Sequence, residues 1–535
     1  MVHYGIRVRT AWLYLATAAA LAAALGADGA GAGAVRAAPP MPTDRVQADN
    51  ACYVKLPSLP QARYGGFGGY NQQTGVLTFA GGGIALTADN SVSDHDLYAI
   101  KLDGAMPSWN TVMYGGDEGY TRENNKGCRE MATAKVADGV WASVLGTGGC
   151  DNGHVDAADK TGGDVRLLSI GTTPDAKGVK WLPDSLNVGS VPSDIAAQAG
   201  RLKRLWAVVD TQRGRAVFGH GTYNSLSEAA SQDGVWTASP SGTKWNVREL
   251  HTGGMMPARR LGACAAYVYD KDLGLDGVLV VGGQPGGGRA AFKEALWLDL
   301  KSGGTWSDVT GRFTNMDAFG GRSDSACAYD GATHRFYSWM GAADASIPDG
   351  SAYSAGAWRV NLTPLAQTDG KLAWERLAKD NLPGVTGRKL IPGVFDWANN
   401  RLFALGGRTG ATSQTGDVWA IYPDVTGDAC ANLDPYAPFR GAPTPVPAPT
   451  PTPGGGGGGG QPEAHVCPSL EAKVPPAVVG AAVANPAGVG GWGMRCSPNL
   501  PAGPTNGLRQ WLTLRSPGLP YHPLFNNVVW SCGCR

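Results

Sequence analysis

Residues 260–309 read RLGACAAYVYDKDLGLDGVLVVGGQPGGGRAAFKEALWLDLKSGGTWSDV. Arg260 leads an apolar run that ends in the turn Tyr269-Asp270-Lys271-Asp272. A second run, VLVV, closes on Gly282-Gly283; a third, ALWLDL, centres on Trp297; and Trp306 opens a fourth. Short β-branched and aromatic runs bounded by Gly and Asp predict strands rather than helices. The turn aspartate fits because its side chain can bond the backbone two residues on. The stretch therefore reads as four short strands in one antiparallel sheet.

The same marks recur on both sides of it. A small-residue pair closes an apolar run at Gly83, Gly149, Gly221, Gly283, Ala342 and Gly407. An aromatic or apolar strand follows each, around Tyr98, Leu167, Trp236, Trp297, Trp358 and Trp419. A Trp opens the next strand at Trp109, Trp181, Trp245, Trp306 and Trp374, at spacings of 72, 64, 61 and 68 residues. Strands ending in a turn at Asn71, Asp210, Asp270, Asp330 and Asp396 precede the glycine pairs. Repetition of one four-stranded unit six times predicts an all-β, six-bladed β-propeller. The sixth unit stops at Cys430 one strand short, and ACYVKLP at 51–57 resembles the missing strand, as in Trp374-Glu375-Arg376-Leu377. The N-terminal strand is thus expected to close the ring, which leaves no open edge between first and last blades. Cys52 and Cys430 would then lie on adjacent strands and form a disulfide.

The order of marks resembles the kelch repeat over residues 52–430, with Arg63, Arg129, Arg204, Arg260, Arg322 and Arg388 near the repeat starts. The units are longer than the ~50 residues usual for that repeat. Blade 2 lacks the third-strand aromatic, and blade 5 has Gly341-Ala342 where Gly-Gly is expected. The resemblance implies a ring of guanidinium groups near the innermost strands, suited to bidentate binding of carboxylate or sulfate. The alternative is that each Arg bonds its own blade. Beside them, Glu130 and Asp324 are the candidate catalytic carboxylates, as general bases toward a sugar. Kelch propellers include copper-radical oxidases, but His95, His154, His220, His251 and His334 form no pair with metal-motif spacing, so no metal or cofactor is expected.

The chain of 535 residues has 79 Gly, 36 Pro and a net charge of +1, with 43% hydrophobic residues. That excludes disorder throughout, and the charge carries no basic block of the kind that binds nucleic acid. Arg7 and Arg9 precede an apolar run at 11–26 and small residues through Ala38, the pattern of a secretory signal over 1–38. The run is too short for the ~20 residues of a membrane span. The mature chain is thus expected outside the cytoplasm, extracellular or periplasmic, with no transmembrane segment and as a monomeric propeller.

Residues 39–51 form an N-terminal segment, and 431–462 a linker containing PTPVPAPTPTPGGGGGGGQ, extended in its Pro/Thr half and flexible in its glycines. The ten cysteines divide six and four across it. In an exported chain such cysteines are disulfide partners. Cys128 pairs with Cys150 in blade 2, whereas Cys264 and Cys327 could bridge or stay as thiols. The module at 463–535 has Cys467, Cys496, Cys532 and Cys534 with three Trp, and a unit that small needs disulfide staples.

Long insertions at 113–126, 151–163 and 343–355 point to the loop face as the working surface. Turn-forming Asp and Asn account for Asp94-His95-Asp96 and Asp151-Asn152 better than a calcium site does. The reading is a secreted binding or adhesion protein, rather than an enzyme, holding a glycan or protein partner on that face. The alternative is a carbohydrate-active enzyme, a sugar epimerase, mutarotase or polysaccharide lyase, and a copper-radical oxidase comes last.

Overall fold

The computed structural model describes residues 44–85, 91–93, 96–102, 107–112, 130, 132–144, 165–181, 204–222, 233–241, 244–286, 289–343 and 352–436. They form six four- or five-stranded sheets arranged as a β-propeller, and a separate two-stranded sheet pairs Gly83–Ala85 with Ser91–Ser93. Blade 4 holds Cys264–Asp270, Leu275–Val281, Ala295–Asp299 and Thr305–Asp308, in that order from the axis outward, with Gly253–Gly254 added in parallel at its edge. The first strands of neighbouring blades pack side by side around the axis: Phe67–Asn71, Ala132–Ala137, Trp206–Asp210, Cys264–Asp270, Ala326–Asp330 and Val394–Asp396. Among the described residues no helix is long and apolar enough to cross a membrane.

The ring closes as expected. Ala51–Leu56 pairs antiparallel with Val418–Pro423, Cys52 lying opposite Tyr422. A further strand, Arg45–Gln47, pairs outside it, so the N-terminal segment adds two strands to blade 6 rather than one. The join also reaches blade 5, where Tyr53 Oη donates to Ala355 O at 2.8 Å and Asn50 N to Leu377 O at 2.9 Å. Cys52 and Cys430 are bonded, with Cα atoms 5.4 Å apart. Cys430 lies in the short helix Gly427–Ala431 that follows the last strand, not on an adjacent strand as the sequence suggested. Cys264 and Cys327, left open above, are bonded between the innermost strands of blades 4 and 5. The expected Cys128–Cys150 pair and the 463–535 module lie outside the described residues.

Local chemistry explains the repeat marks. At the inner hairpins, side-chain oxygens of Asn71, Asp210, Asp270, Asp330 and Asp396 accept backbone N–H groups two or three residues on, at 2.9–3.3 Å. The small-residue pair carries two consecutive positive φ angles, 68° and 84° at Gly282-Gly283 and 58° and 116° at Gly406-Gly407. Blade 5 places Met340-Gly341 there (59° and 99°), one residue earlier than the sequence suggested, and blade 3 places His220-Gly221 (56° and 93°). The second residue must be Gly because its N–H turns outward to the next blade. Gly221, Gly283, Gly341 and Gly407 donate to the carbonyls of Arg260, Arg322, Arg388 and Arg63 at 2.7–2.8 Å. Only Gly adopts such angles without strain.

Between blades the core is aromatic. Trp141, Trp306, Trp339 and Trp419 are fully buried, each stabilising by roughly 2–3 kcal/mol through area removed from water. The short helix Met316–Phe319 exists to deliver Phe319, which stacks on Trp374 at 4.1 Å and meets Trp358 edge-on.

Candidate functional site: the mouth of the central channel

Four repeat-start arginines occupy one equivalent position, and each turns into its own blade. Arg63, Arg260 and Arg388 are completely buried, with Nη1 donating to the carbonyl of the first residue of the local glycine pair, Gly81, Gly282 or Gly406, at 3.0–3.2 Å. Each also bonds the residue two before itself, Gln61, Ala258 or Thr386, and reaches the residue just before the third strand: Asp96 for Arg63, Glu294 for Arg260, and the Asp417 carbonyl for Arg388. Blade 5 has Gly356 there, and Arg322 instead bonds Asp380 at 2.7 Å. A positive-φ turn strands a carbonyl inside the blade, and a guanidinium satisfies it while its charge meets a nearby carboxylate. Burial pushes Arg388 down to about 10. These four groups are blade fastenings, and the ring of ligand-facing guanidiniums implied by the kelch resemblance does not form from them. Arg129 lies outside the described residues.

Arg204 is different. It sits two residues further along, level with Gly65, Glu130, Gly262, Asp324 and Leu390. All six carry φ between 54° and 64°. Five amides of this set donate to the carbonyl of the preceding blade's member: Gly65 to Leu390, Arg204 to Glu130, Gly262 to Arg204, Asp324 to Gly262, and Leu390 to Asp324, at 2.7–3.3 Å. The result is a belt of backbone hydrogen bonds around the channel mouth. Non-Gly residues with positive φ are uncommon, and a concentration of them in one place marks a region held by its surroundings.

On this belt Arg204 Nη2 reaches past blade 4 to Asp324 Oδ2, both side chains almost wholly buried. The passage depends on Gly262, where a Cβ would lie 2.3 Å from Asp324 Oδ1. Lys389 Nζ stands 3.9 Å from the same Asp324 oxygen and 4.8 Å from the Tyr353 ring centroid. Its ammonium is pushed down to about 8, first by burial and then by the Arg204 charge, with Asp324 opposing. The Arg204 guanidinium is held above its ordinary range: burial is the largest influence and lowers it, but the carboxylates of Asp324 and Glu130 outweigh it. Asp324 Oδ1 and Arg204 Nε have no hydrogen-bond partner among the described residues. A cavity of about 90 Å³ lies against the belt, lined by Glu130, Arg204, Gly262, Asp324 and Leu390.

Thus both candidate carboxylates, Glu130 and Asp324, and one of the six arginines meet at the mouth. Arg204 and Lys389 as partners of Asp324 were not legible. The signal was present as charged residues at the place where blades 1 and 4 carry Gly65 and Gly262.

His220 takes the first position of its glycine pair. Its Nδ1 accepts from Trp206 Nε1 at 2.8 Å, and its ring stacks on Trp306. Burial, then Arg260, pushes its pKa well below the usual histidine value, so it stays neutral. Among the described residues no three His, Cys, Asp or Glu side chains converge as a metal-binding set. His95, His154, Asp94 and Asp151-Asn152 lie outside the described residues.

In an antiparallel meander the start of the first strand, the end of the second, the start of the third and the end of the fourth share one face. The insertions at 113–126, 151–163 and 343–355 all join strand ends of that face, which is the face of the belt.

No protein-family model matches this chain, and no curated protein sequence does. Solved structures are similar to it over about two thirds of its length. One titled "Structure of YjhT" is 12% identical, with 69% of this chain and 97% of that chain covered and a TM-score of 0.41. Another, titled "Novel fungal alcohol oxidase with catalytic diversity among the AA5 family, in complex with copper", is 13% identical, with 70% and 76% covered and a TM-score of 0.40.

Proposed function

We propose that this chain is an exported, kelch-type binding protein that holds an extracellular glycan or protein on the belt face of its propeller. A signal at 1–38 directs export, and the Pro/Thr and poly-Gly linker tethers the 463–535 module as a second contact. Two weak sites on one tether give avidity without tight binding at either.

The observation that carries this reading is the engagement of Asp324. A general base must come within hydrogen-bond reach of the proton it removes. The Asp324 side chain is 1% exposed and its Oδ2 is held by Arg204, which makes it a fastening of the mouth. With the mouth laced by the belt, a polymer lies across the face instead of threading the channel.

The carbohydrate-active alternative has one observation in its favour. Lys389, near 8, stands beside a carboxylate at the mouth, a combination often found in catalytic sites. Incubating the oxidised protein with a panel of plant, bacterial and sialylated polysaccharides separates the two. Depletion of protein onto a polymer, with no new product or anomer, is the expected result. Product formation lost in Glu130→Gln or Lys389→Met would overturn the binding reading and place the reaction at the mouth.

A further inference from the structure

Below the mouth the channel narrows to a waist of small residues, Thr133, Ala207, Ala265, Cys327 and Gly393, which borders both the mouth cavity and a larger chamber of about 260 Å³. The chamber opens on the face of the inner hairpins, opposite the insertions. Its walls are Trp141, Tyr267, Tyr329 and Trp397, contributed by four blades. Trp141 lies flat over Gly69, where a Cβ would meet its ring at 3.0 Å, and Trp397 Nε1 is anchored to Tyr329 O at 2.9 Å. The aromatic walls are therefore fixed in place.

One ammonium enters this space. Lys135 Nζ stands 3.9 Å from the Trp397 ring centroid and has no hydrogen-bond acceptor among the described residues. The nearest carboxylates are already engaged, Asp396 by Arg401 and Asn399, and Asp138 by the Gln72 amide. Both tyrosine hydroxyls donate away from the chamber, Tyr267 to Asp276 and Tyr329 to Asp270, leaving lone pairs. Burial pushes Lys135 down to about 8, with the charges of Asp138 and Asp396 opposing.

A second polar handle lies deeper. Thr133 Oγ1 is buried without a hydrogen-bond partner among the described residues. Thr133 and Lys135 are two residues apart on one strand and so point to the same side, about 7 Å apart along it. A buried polar atom without a partner carries a desolvation penalty that a ligand hydroxyl relieves.

We propose that this chamber is a second binding site, for a monocarboxylate carried on a single hydroxylated ring, a hexuronate in size and chemistry. The carboxylate meets Lys135, a ring hydroxyl meets Thr133, and the apolar face of the ring lies against Trp397 and the tyrosines. The chamber's volume, near the low end for small-molecule sites, admits one ring and not a chain. The site is separate from the belt face and does not depend on what that face binds.

The test uses the full oxidised chain, with D-glucuronate, D-glucose and benzoate as probes, followed by tryptophan fluorescence and ligand-observed NMR. Saturable glucuronate binding near about 1 mM is expected, with glucose at least tenfold weaker. Lys135→Met, which keeps the apolar stem, should weaken glucuronate at least tenfold. Thr133→Val should weaken glucuronate and leave benzoate unchanged. Each variant's near-ultraviolet circular dichroism and Tm establish that it is folded, and Thr211→Trp at the rim blocks the chamber without touching either handle. No saturable glucuronate binding, equal binding of glucose, or binding undiminished in folded Lys135→Met or Thr211→Trp would each overturn the proposal. Benzoate bound more tightly than glucuronate, with Thr133→Val silent, would overturn the hydroxylated-ring assignment.

Discussion

Replacing Asp324 with Asn removes one negative charge from the channel mouth and changes almost nothing else. Asn is nearly isosteric and is among the non-Gly residues best tolerated at positive φ, so the belt conformation at 54° is kept. What remains is Arg204, buried, with its Nη2 bond to Asp324 lost and Glu130 as the remaining carboxylate acting on it, and Lys389, whose counter-charge at 3.9 Å is gone. Breaking a buried pair from one side costs about 3–5 kcal/mol. For a propeller of roughly 390 residues the unfolding entropy is about 0.8 kcal/mol/K, so the Tm should fall by about 4–6 °C. Arg204→Met should be milder, about 2–3 °C, because Lys389 still faces the carboxylate. The double variant should fall less than the two single effects added, since no unpaired guanidinium is left behind. Calorimetry of the four proteins at pH 7 gives the cycle. An Asp324→Asn protein within about 1 °C of the parent, with an additive double variant, would refute the view of this pair as a fastening.

Three further outcomes follow from the same structure. Removing Cys52–Cys430 as a double Ala variant opens a loop of 378 residues, worth up to about 6 kcal/mol by the loop-entropy relation, against about 4 for the 63 residues of Cys264–Cys327. The first should therefore lower Tm more, by about 7 °C against about 5 °C in a thermal scan. Lys389 and Lys135 are both pushed down to about 8 by burial. Between there and the ordinary lysine value of about 10.4 the unfolded chain holds protons that the folded one has released. Stability should thus rise with pH across that window, and urea midpoints at successive pH values should show a shallower rise in Lys389→Met. Gly407→Ala puts a side chain at φ 116° with Cβ 2.7 Å from Ile391 Cγ2, at the amide joining blade 6 to blade 1, and should cost about 1–3 kcal/mol. Gly311→Ala, with nothing within 4 Å, should be near neutral in the same denaturation assay.

The amino-acid sequence alone determined the number of blades, their strand order and the closure by the N-terminal strand. Those features rest on short-range chemistry: alternation within a strand, an Asp or Asn bonding its own turn, and a Gly whose φ must be positive. The Cys52–Cys430 bond followed from closure, although the helical setting of Cys430 did not. Tertiary structure alone decided the rest. Cys264 meets Cys327 on neighbouring first strands, and Arg204 meets Asp324 across blade 4, only because the blades are brought into register around the axis. Insertions of unequal length hide that register when repeats are compared along the chain. Three of the arginines, Arg63, Arg260 and Arg388, turned inward to a stranded carbonyl and to the acidic residue just before the third strand, and Arg322 turned inward to Asp380. Arg204, two residues out of step, had neither and turned to the mouth. Lys135 likewise looks like an ordinary strand lysine until the aromatic walls from other blades enclose it.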